Sequence, residues 1–337
     1  MQNKSATPSP MTTAAPSLDF GPYLDVSVHS CAGANALARL ENQDNYLVVD
    51  CTGSAVFLRG QAGQRQQVAN WPAGHMRVAV LDGMGGHGRG REAAEAVVDG
   101  LLEMPACHTL GDLSARLDLL HGQLQRQFGC DPTTGKRPGT TLTMLELRPN
   151  KPALLYHVGD SRLYEIIGAH VTPMTVDHVP ATAFAMGGLL GEHEWWQQVH
   201  GEHRSQISQA FILGNAFANP AELADELYEL SPRNLPSYLY HLPDRRALEL
   251  DPRAVYLLAS DGFWACADPC AWLARWPALL AGQHSARAIS DALFAEMRSN
   301  PPPELHIDNL TAIVLRPLVQ DETAAPISTQ QLYAGEP

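Results

Sequence analysis

Apolar residues in this chain follow two rhythms. Short apolar runs at 24–28, 46–49 and 76–81 read as strands, the last of them buried. Residues 91–104 place Ala93, Ala94, Ala96, Val97, Leu101 and Leu102 on one face of a helix. Residues 110–128 repeat Leu113, Leu117, Leu120 and Leu124 at helical spacing, and Gly129 is placed to end that helix in a left-handed cap. Strands are predicted again at 140–147, 153–158, 162–167 and 170–173, with Gly159-Asp160 as a tight connection, and at 254–259 and 310–315. Helices are predicted at 183–190, 221–230, 271–280 and 285–298, the last stopped by Asn300 and Pro301-Pro302-Pro303. This order suits helical layers outside a strand-rich centre. Residues 191–250, with Trp195-Trp196 and the histidines 193, 200, 203 and 241, read as a loop-and-helix insertion or a surface subdomain.

The chain has 337 residues and 45% hydrophobic content, enough for one large globular domain, expected over 20–318. Residues 1–19, rich in Ser, Thr, Pro and Ala, and residues 319–337 read as flexible tails. The formal charge of -13 and the lack of any basic cluster argue against a nucleic-acid partner. No hydrophobic segment marks a signal peptide, and no stretch of about 20 apolar residues suggests a membrane span. A cytoplasmic protein is the default expectation. The cysteines are scattered, and Cys266 and Cys270 lack a second pair to complete a zinc set.

Acidic residues at strand ends change this ordinary picture. Asp82 closes the run Val78-Ala79-Val80-Leu81 and opens Asp82-Gly83-Met84-Gly85-Gly86. Asp261 closes Leu257-Leu258-Ala259-Ser260 and is again followed by Gly262. Asp308-Asn309 precedes the apolar run at 310–315. A single Asp-Gly is usually a solvated turn. Several carboxylates at buried strand ends are costly together unless a cation offsets them. Oxygen-only ligands select hard ions such as Mg²⁺ or Mn²⁺ over zinc. Arg39, five residues before Asp44, is suited to hold a phosphate by two parallel hydrogen bonds, or else to pair with Glu41 or another acid. Asp160 lies in a tight turn, where Arg162 is a structural partner for it.

Other phosphate chemistries are poorly served. The segment from Gly129 to Lys136 imitates a phosphate loop, but five residues separate its glycines, and Arg137 stands where Ser or Thr is required. There is no Gly-x-Ser-x-Gly elbow. No cysteine sits in a Cys-x5-Arg cradle.

Seven separated motifs, in order, resemble the metal-dependent PP2C-type (PPM) serine/threonine protein phosphatases of bacterial type. They are the segment from Arg39 to Asp44, Asp82-Gly83-Met84-Gly85-Gly86, Gly139-Thr140-Thr141, Gly159-Asp160-Ser161-Arg162, Asp177-His178, Ser260-Asp261-Gly262 and Asp308-Asn309. The resemblance covers about residues 20 to 318. It implies an α+β fold, a four-layer α/β/β/α sandwich with two central antiparallel sheets. It also implies a binuclear Mn²⁺/Mg²⁺ site, with Asp82 bridging both ions, the Gly83 carbonyl on one, Asp261 and Asp308 on the other, and Asp44 close by. Arg39 would position the substrate phosphate, and Asp160 would help hold a third, weaker ion. The implied reaction is hydrolysis of phosphoserine or phosphothreonine in proteins by a water shared between two ions, in a monomer that opposes a Ser/Thr kinase. The alternatives are a non-catalytic regulatory relative that binds a phosphorylated partner, and hydrolysis of a small phosphoester.

The chain departs from the pattern at three places. Gln43 stands where many eukaryotic members have Glu. Met84 replaces their His general acid, which leaves nearby His87 with an open role. The stretch from His178 to Asp261 matches only approximately, through Phe211-Ile212-Leu213-Gly214-Asn215.

Overall fold

The computed structural model describes residues 17–33, 39–84, 89–130, 137–203, 206–217, 219 and 222–318. The tail expected at 319–337, most of that at 1–19, Gly85, Gly86, His87 and the loop 131–136 lie outside the described residues.

Strands β1 (Leu24–Cys31), β2 (Asn45–Val49), β3 (Ser54–Arg59), β4 (Ala62–Gln67), β5 (Met76–Leu81) and β6 (Gly83–Met84) precede helices α1 (Gly90–Glu103) and α2 (Leu110–Phe128). Then come β7 (Gly139–Thr140), β8 (Leu142–Arg148), β9 (Lys151–Val158), β10 (Arg162–Ile167) and β11 (His170–Pro173). Helices α3 (Pro180–Met186) and α4 (Glu192–His200) lead to β12 (Gln209–Ala210), β13 (Gly214–Asn215), β14 (Arg245–Leu248) and β15 (Val255–Ala259). Helices α5 (Pro269–Leu273), α6 (Trp276–Leu280) and α7 (Ala286–Ser299) precede β16 (Leu310–Pro317).

Among the described residues two antiparallel sheets dominate, one in the order β14-β9-β8-β5-β2-β3-β4 and one in the order β1-β16-β15-β10-β11. Strand alternation sorts their side chains into layers. Leu47, Val49, Ala79 and Leu81 face α1 and α2, where Ala94, Val97, Leu101, Leu113 and Leu117 meet them. Their neighbours Val48, Val78 and Val80 face the other sheet and pack with Tyr256, Leu258, Ile313 and Leu315. On the far side of that second sheet, Leu257, Ala259, Ala312 and Val314 pack on Trp276, Ile289, Leu293 and Phe294 of α6 and α7. Both faces of the central strands are covered, so they read as continuous apolar runs. The result is the expected α/β/β/α sandwich.

Helix α2 spans its predicted residues; Thr109 caps its start and Gly129, at φ 58°, ends it. The helix predicted at 271–280 is instead two short ones, each with a proline in its first turn, Pro269 and Pro277. Proline is accepted there but ends any helix that approaches it. The helix predicted at 221–230 does not form over its described part. Ala224 bridges Asn215 there, and the backbone is tied down by Gln125 and Asn215 side chains. The β3–β4 hairpin and helix α4 carry no clear apolar rhythm and escaped the sequence reading; β4 is exposed throughout. Residues around 176–242 build a subdomain with its own small core of Val176, Ala185, Trp195, Leu230, Leu235, Leu239 and Leu242. Among the described residues no helix is long and apolar enough to cross a membrane.

One buried ion cluster ties α1 to the sheet. Arg77 on β5 and Glu146 on β8 are register partners, both wholly buried, with Arg77 Nε donating to Glu146 Oε2 at 2.7 Å. Arg77 also donates to the carbonyls of Leu101, Met104 and Pro105, which the end of α1 would otherwise leave unsatisfied. Burial works against the Glu146 charge, but Arg77 and His75 hold its pKa below the usual carboxylate value. We expect Arg77→Ala to cost about 3–5 kcal/mol in urea denaturation at neutral pH, because it strands a buried carboxylate. A loss below about 1 kcal/mol would mean that Glu146 is neutral in the folded protein. The Glu146 pKa is depressed, so its share of stability is present above the ordinary carboxylate pKa and is lost as pH falls.

Candidate metal centre

The antiparallel order places the acidic residues at one end of the sandwich. Asn45 pairs with Leu81, so Asp44 at the start of β2 lies beside Asp82 at the end of β5. Ala259 pairs with both Arg162 and Ala312, which brings Asp261, Asp160 and the start of β16 to the same end of the other sheet. Asp82, Asp160, Asp261 and Asp308 line one cavity of about 350 Å³, together with Arg39, Gln43, Gly83, Met84, Gln206 and Ile207. Asp44 sits beneath it, 2% exposed.

Hydroxyls and amides lock this end. Ser260 Oγ donates to Asp44 Oδ2 at 2.7 Å and so joins the two sheets, while the Thr311 amide donates to Ser260 Oγ at 3.0 Å. The Asp82 amide donates to Thr141 Oγ1 at 2.8 Å, and Thr141 meets Ser161 Oγ at 2.6 Å. Asn309 accepts from the Gln43 amide and donates to the carbonyls of Ala32 and Glu41. The glycines after the two acids have a steric cause. A Cβ at Gly83 would collide with the backbone carbonyls of Gln43 and Gly90, and one at Gly262 with the Asn309 carbonyl. The chain must come this close for the acids to meet, and only glycine permits it.

The electrostatics are those of crowded like charges. Burial, then Asp44, Asp261, Asp308 and Asp160, push the Asp82 pKa well above its ordinary value. Burial raises Asp44 to about 7 although Ser260 and Thr311 donate to it. Burial, Asp261 and Asp177 raise Asp160 to about 8. Asp308 rises to about 6, through burial and Asp261. Asp261 alone falls below its usual value; burial opposes this, but His203 holds it down, with Nε2 at 3.3 Å from Oδ2. Asp44 Oδ1 and Asp261 Oδ1 are buried and accept no hydrogen bond from a described residue. An all-oxygen set with two such atoms has the chemistry of a hard divalent cation site. As the side chains stand, no three ligating groups among the described residues surround a single point. Arg39 draws Asp308 aside through Nη2 at 2.9 Å, as His203 draws Asp261.

The sequence-predicted residues Arg39, Asp44, Asp82, Gly83, Asp160, Asp261 and Asp308 thus gather at one end of the fold. One pairing differs from expectation. Arg162 turns from Asp160 to Asp177, with Nε and Nη2 at 2.7–3.1 Å from its oxygens. Of the two acid partners open to Arg39, it takes another acid, Asp308, while Glu41 pairs with Arg91. The segment from Phe211 to Asn215 lies behind the site: Phe211 exchanges backbone hydrogen bonds with Thr140 and packs into the core under α2. His203 and Gln206 were missed, because they come from the subdomain segment that carries no pattern.

No family model matches the chain. The serine/threonine protein phosphatase PstP of Mycobacterium tuberculosis is 34% identical over 109 residues, 31% of this chain and 21% of PstP. Protein phosphatase PhpP of Streptococcus pneumoniae is 30% identical over 128 residues, 36% of this chain and 51% of PhpP. In both matches the chain covers less than two thirds of the relative's length. Solved structures align much further. PstP/Ppp of M. tuberculosis superposes with a TM-score of 0.56 at 20% identity, covering 88% of this chain and 100% of that one. PppA, described as a key regulatory component of T6SS in Pseudomonas aeruginosa, superposes at 0.56 and 22% identity, covering 88% and 98%. The chain has the PP2C-type phosphatase fold. In this PP2C-type fold the acid cluster occupies the edge where the two sheets meet, as its strand ends require.

The raised pKa values set a pH dependence for metal-free protein. Below the ordinary Asp value of 3.8 these groups are protonated both folded and unfolded, and they carry no penalty. From 3.8 upward the unfolded chain has ionised while the folded state keeps its protons, so stability falls as pH rises until the folded values of about 6 to about 8 are passed. In EDTA, Asp82→Asn should melt above wild type by about 2 °C or more near pH 8, with a smaller gap near pH 5. A gap that does not grow with pH would show that these carboxylates do not repel one another.

Proposed function

We propose that this protein hydrolyses phosphoserine and phosphothreonine esters in proteins with the help of divalent metal ions. The convergence of acids from both sheets on one cavity that also holds Arg39 carries this reading. The catalytic unit is residues 20–318. Asp82, the Gly83 carbonyl, Asp261 and Asp308 would hold a pair of Mn²⁺ or Mg²⁺ ions, with Asp44 alongside and Asp160 toward a third. When bound, such ions supply an acidified water and neutralise charge on the phosphoryl oxygens.

The protein's own groups do the rest. Arg39 reaches the cavity rim, where its guanidinium can grip two phosphoryl oxygens once it leaves Asp308. Ser260 holds the Asp44 carboxylate, and Thr141 holds the Asp82 backbone. Met84 lines the cavity and offers no proton, so the leaving oxygen is not protonated from that position. The substrate is a phosphoprotein that a Ser/Thr kinase has modified, the protein acts as a monomer, and the compartment is the cytoplasm. PstP and PhpP, phosphatases by name, support the activity.

Phosphate release from a phosphothreonine peptide tests the reading. It should require Mn²⁺, stop with EDTA, and fall at least about a thousandfold in Asp82→Asn and Asp261→Asn, the scale on which a removed charge-stabilising group acts. Arg39→Ala should chiefly raise KM. Release without metal, or at a native rate in Asp82→Asn, would overturn the assignment. Tight phosphopeptide binding by wild type without turnover would favour a regulatory relative instead.

A further inference from the structure

A second cavity of about 200 Å³ adjoins the acid-lined one, and Asp160 and Gln206 line both. These two residues therefore stand in the partition between the cavities, with Val179, Pro180 and Phe184 on the far side. A single buried residue, His178, bonds the chain next to each of them. Its amide donates to the Gly159 carbonyl at 2.8 Å, and its carbonyl accepts from the Ser208 amide at 2.7 Å. Its ring Nδ1 accepts from the Gly159 amide at 3.3 Å and from Gln209 Nε2 at 2.9 Å. Asp160 follows Gly159 in the chain, and Gln206-Ile207 precedes Ser208.

These partners determine where the ring carries its hydrogen. A backbone amide only donates, so Nδ1 is bare. The Tyr228 amide donates to Gln209 Oε1 at 2.5 Å, which turns the Gln209 nitrogen, not its oxygen, toward Nδ1. Burial pushes the His178 pKa well below its usual value, and His157 and Arg245 act in the same direction. The ring is thus neutral with its hydrogen on Nε2, which faces Asp244 Oδ2 at 3.5 Å. That oxygen also accepts the Leu230 amide at 2.9 Å, so it remains an acceptor when a proton sits on Asp244 Oδ1. On its other side Gly159, at φ 111°, packs against Thr141: a Cβ there would lie 2.6 Å from Thr141 Cγ2. Thr141 in turn holds the Asp82 amide. Displacement of Gly159 would reach Asp160 directly and Asp82 through Thr141.

We propose that His178 is a positioning residue of the metal centre: its ring and backbone tie the Asp160 turn to the Gln206-Ile207 wall and hold these two parts of the cavity lining at one spacing. Its effect on catalysis rests on the phosphatase reading; the tie itself rests on the hydrogen bonds alone. His178 acts through Gly159 and Ser208 and touches no reacting group. Partners one step behind a metal ligand typically change metal affinity or activity about 10–100-fold when removed.

Three variants of the full chain test this. His178→Leu fills the space but strands the Gly159 amide. His178→Asn keeps an acceptor at the place of Nδ1. Leu113→Ala thins the core under α2 and leaves the tie intact, as a control for lost stability alone. In metal-free protein, amide hydrogen exchange at 159–160 and 206–209 should quicken about tenfold or more in His178→Leu and stay within about threefold of wild type in the other two. Mn²⁺ binding, read without turnover from the electron paramagnetic resonance of the free ion, should weaken about tenfold at the weakest site in His178→Leu and less than about threefold in the others. If His178→Leu does not fold, Gln209→Met, which removes one donor to Nδ1, should give a smaller change of the same sign. Unchanged exchange or unchanged Mn²⁺ affinity in the tie-breaking variant overturns the proposal. Equal weakening in Leu113→Ala, or no rescue by His178→Asn, also overturns it, because His178 would then be ordinary packing. No Mn²⁺ binding by wild type would overturn the metal reading together with this role. Mn²⁺ binding that depends on His178, in wild type that releases no phosphate, would overturn the phosphatase reading and leave the positioning role standing.

Discussion

Mutual repulsion among buried carboxylates is the constraint around which this structure is organised. Asp44, Asp82, Asp160, Asp261 and Asp308 come from both sheets and meet at one end, where four of the five carry raised pKa values. A fold gains nothing in stability from such a cluster. The arrangement persists because everything around it is firmly determined. The sandwich core is continuous across three apolar layers, and the strand registers leave the acids nowhere else to go. Stability is supplied by the interior and spent at the edge, and the edge is where a divalent cation would return it.

The supporting hydrogen bonds show the same division. Ser260 and Thr141 have no charge and do little to cancel the repulsion, yet one fixes the Asp44 carboxylate and the other the Asp82 backbone. Arg39 and His203 do carry or acquire charge, and each engages one acid at the mouth, Asp308 and Asp261. The hydroxyl contacts lie deep, and the cationic ones lie nearer the surface. The His203 amide also donates to the Cys266 carbonyl, which links the subdomain to the segment that follows Asp261. Movement of the subdomain would therefore be felt at the acid cluster.

Much of this was legible in the sequence, and the reason is steric. Central strands covered on both faces are mostly apolar, with Arg77 and Thr311 as satisfied exceptions, so β5, β15 and β16 stood out as runs. An acid and a glycine at the end of such a run break the pattern for a cause that the structure supplies: Gly83 and Gly262 sit where another backbone passes too close for a side chain. What failed was local in origin. The exposed β4 and the amphipathic α4 have weak patterns of their own, and the helix expected at 271–280 was divided by prolines that belong to two first turns. His203 was illegible because nothing near it in sequence states its role; only the fold brings it to Asp261.

The subdomain packs around a core of its own, apart from the sandwich. Its core is small and separate, so its surface can change without disturbing the sandwich. Its contribution to the cavities is made by few side chains, among them Phe184, Gln198 and Gln206, none of which the main core needs. Arg162 marks the boundary between the two regimes. It bonds Asp177, the Tyr164 hydroxyl and the Val199 carbonyl, and so holds the start of β10 against α4. Its positive charge stays in the cavity that it lines, balanced in part by Asp177. The acid cluster lies on one side of that boundary and the thin wall of Val179, Pro180 and Phe184 on the other.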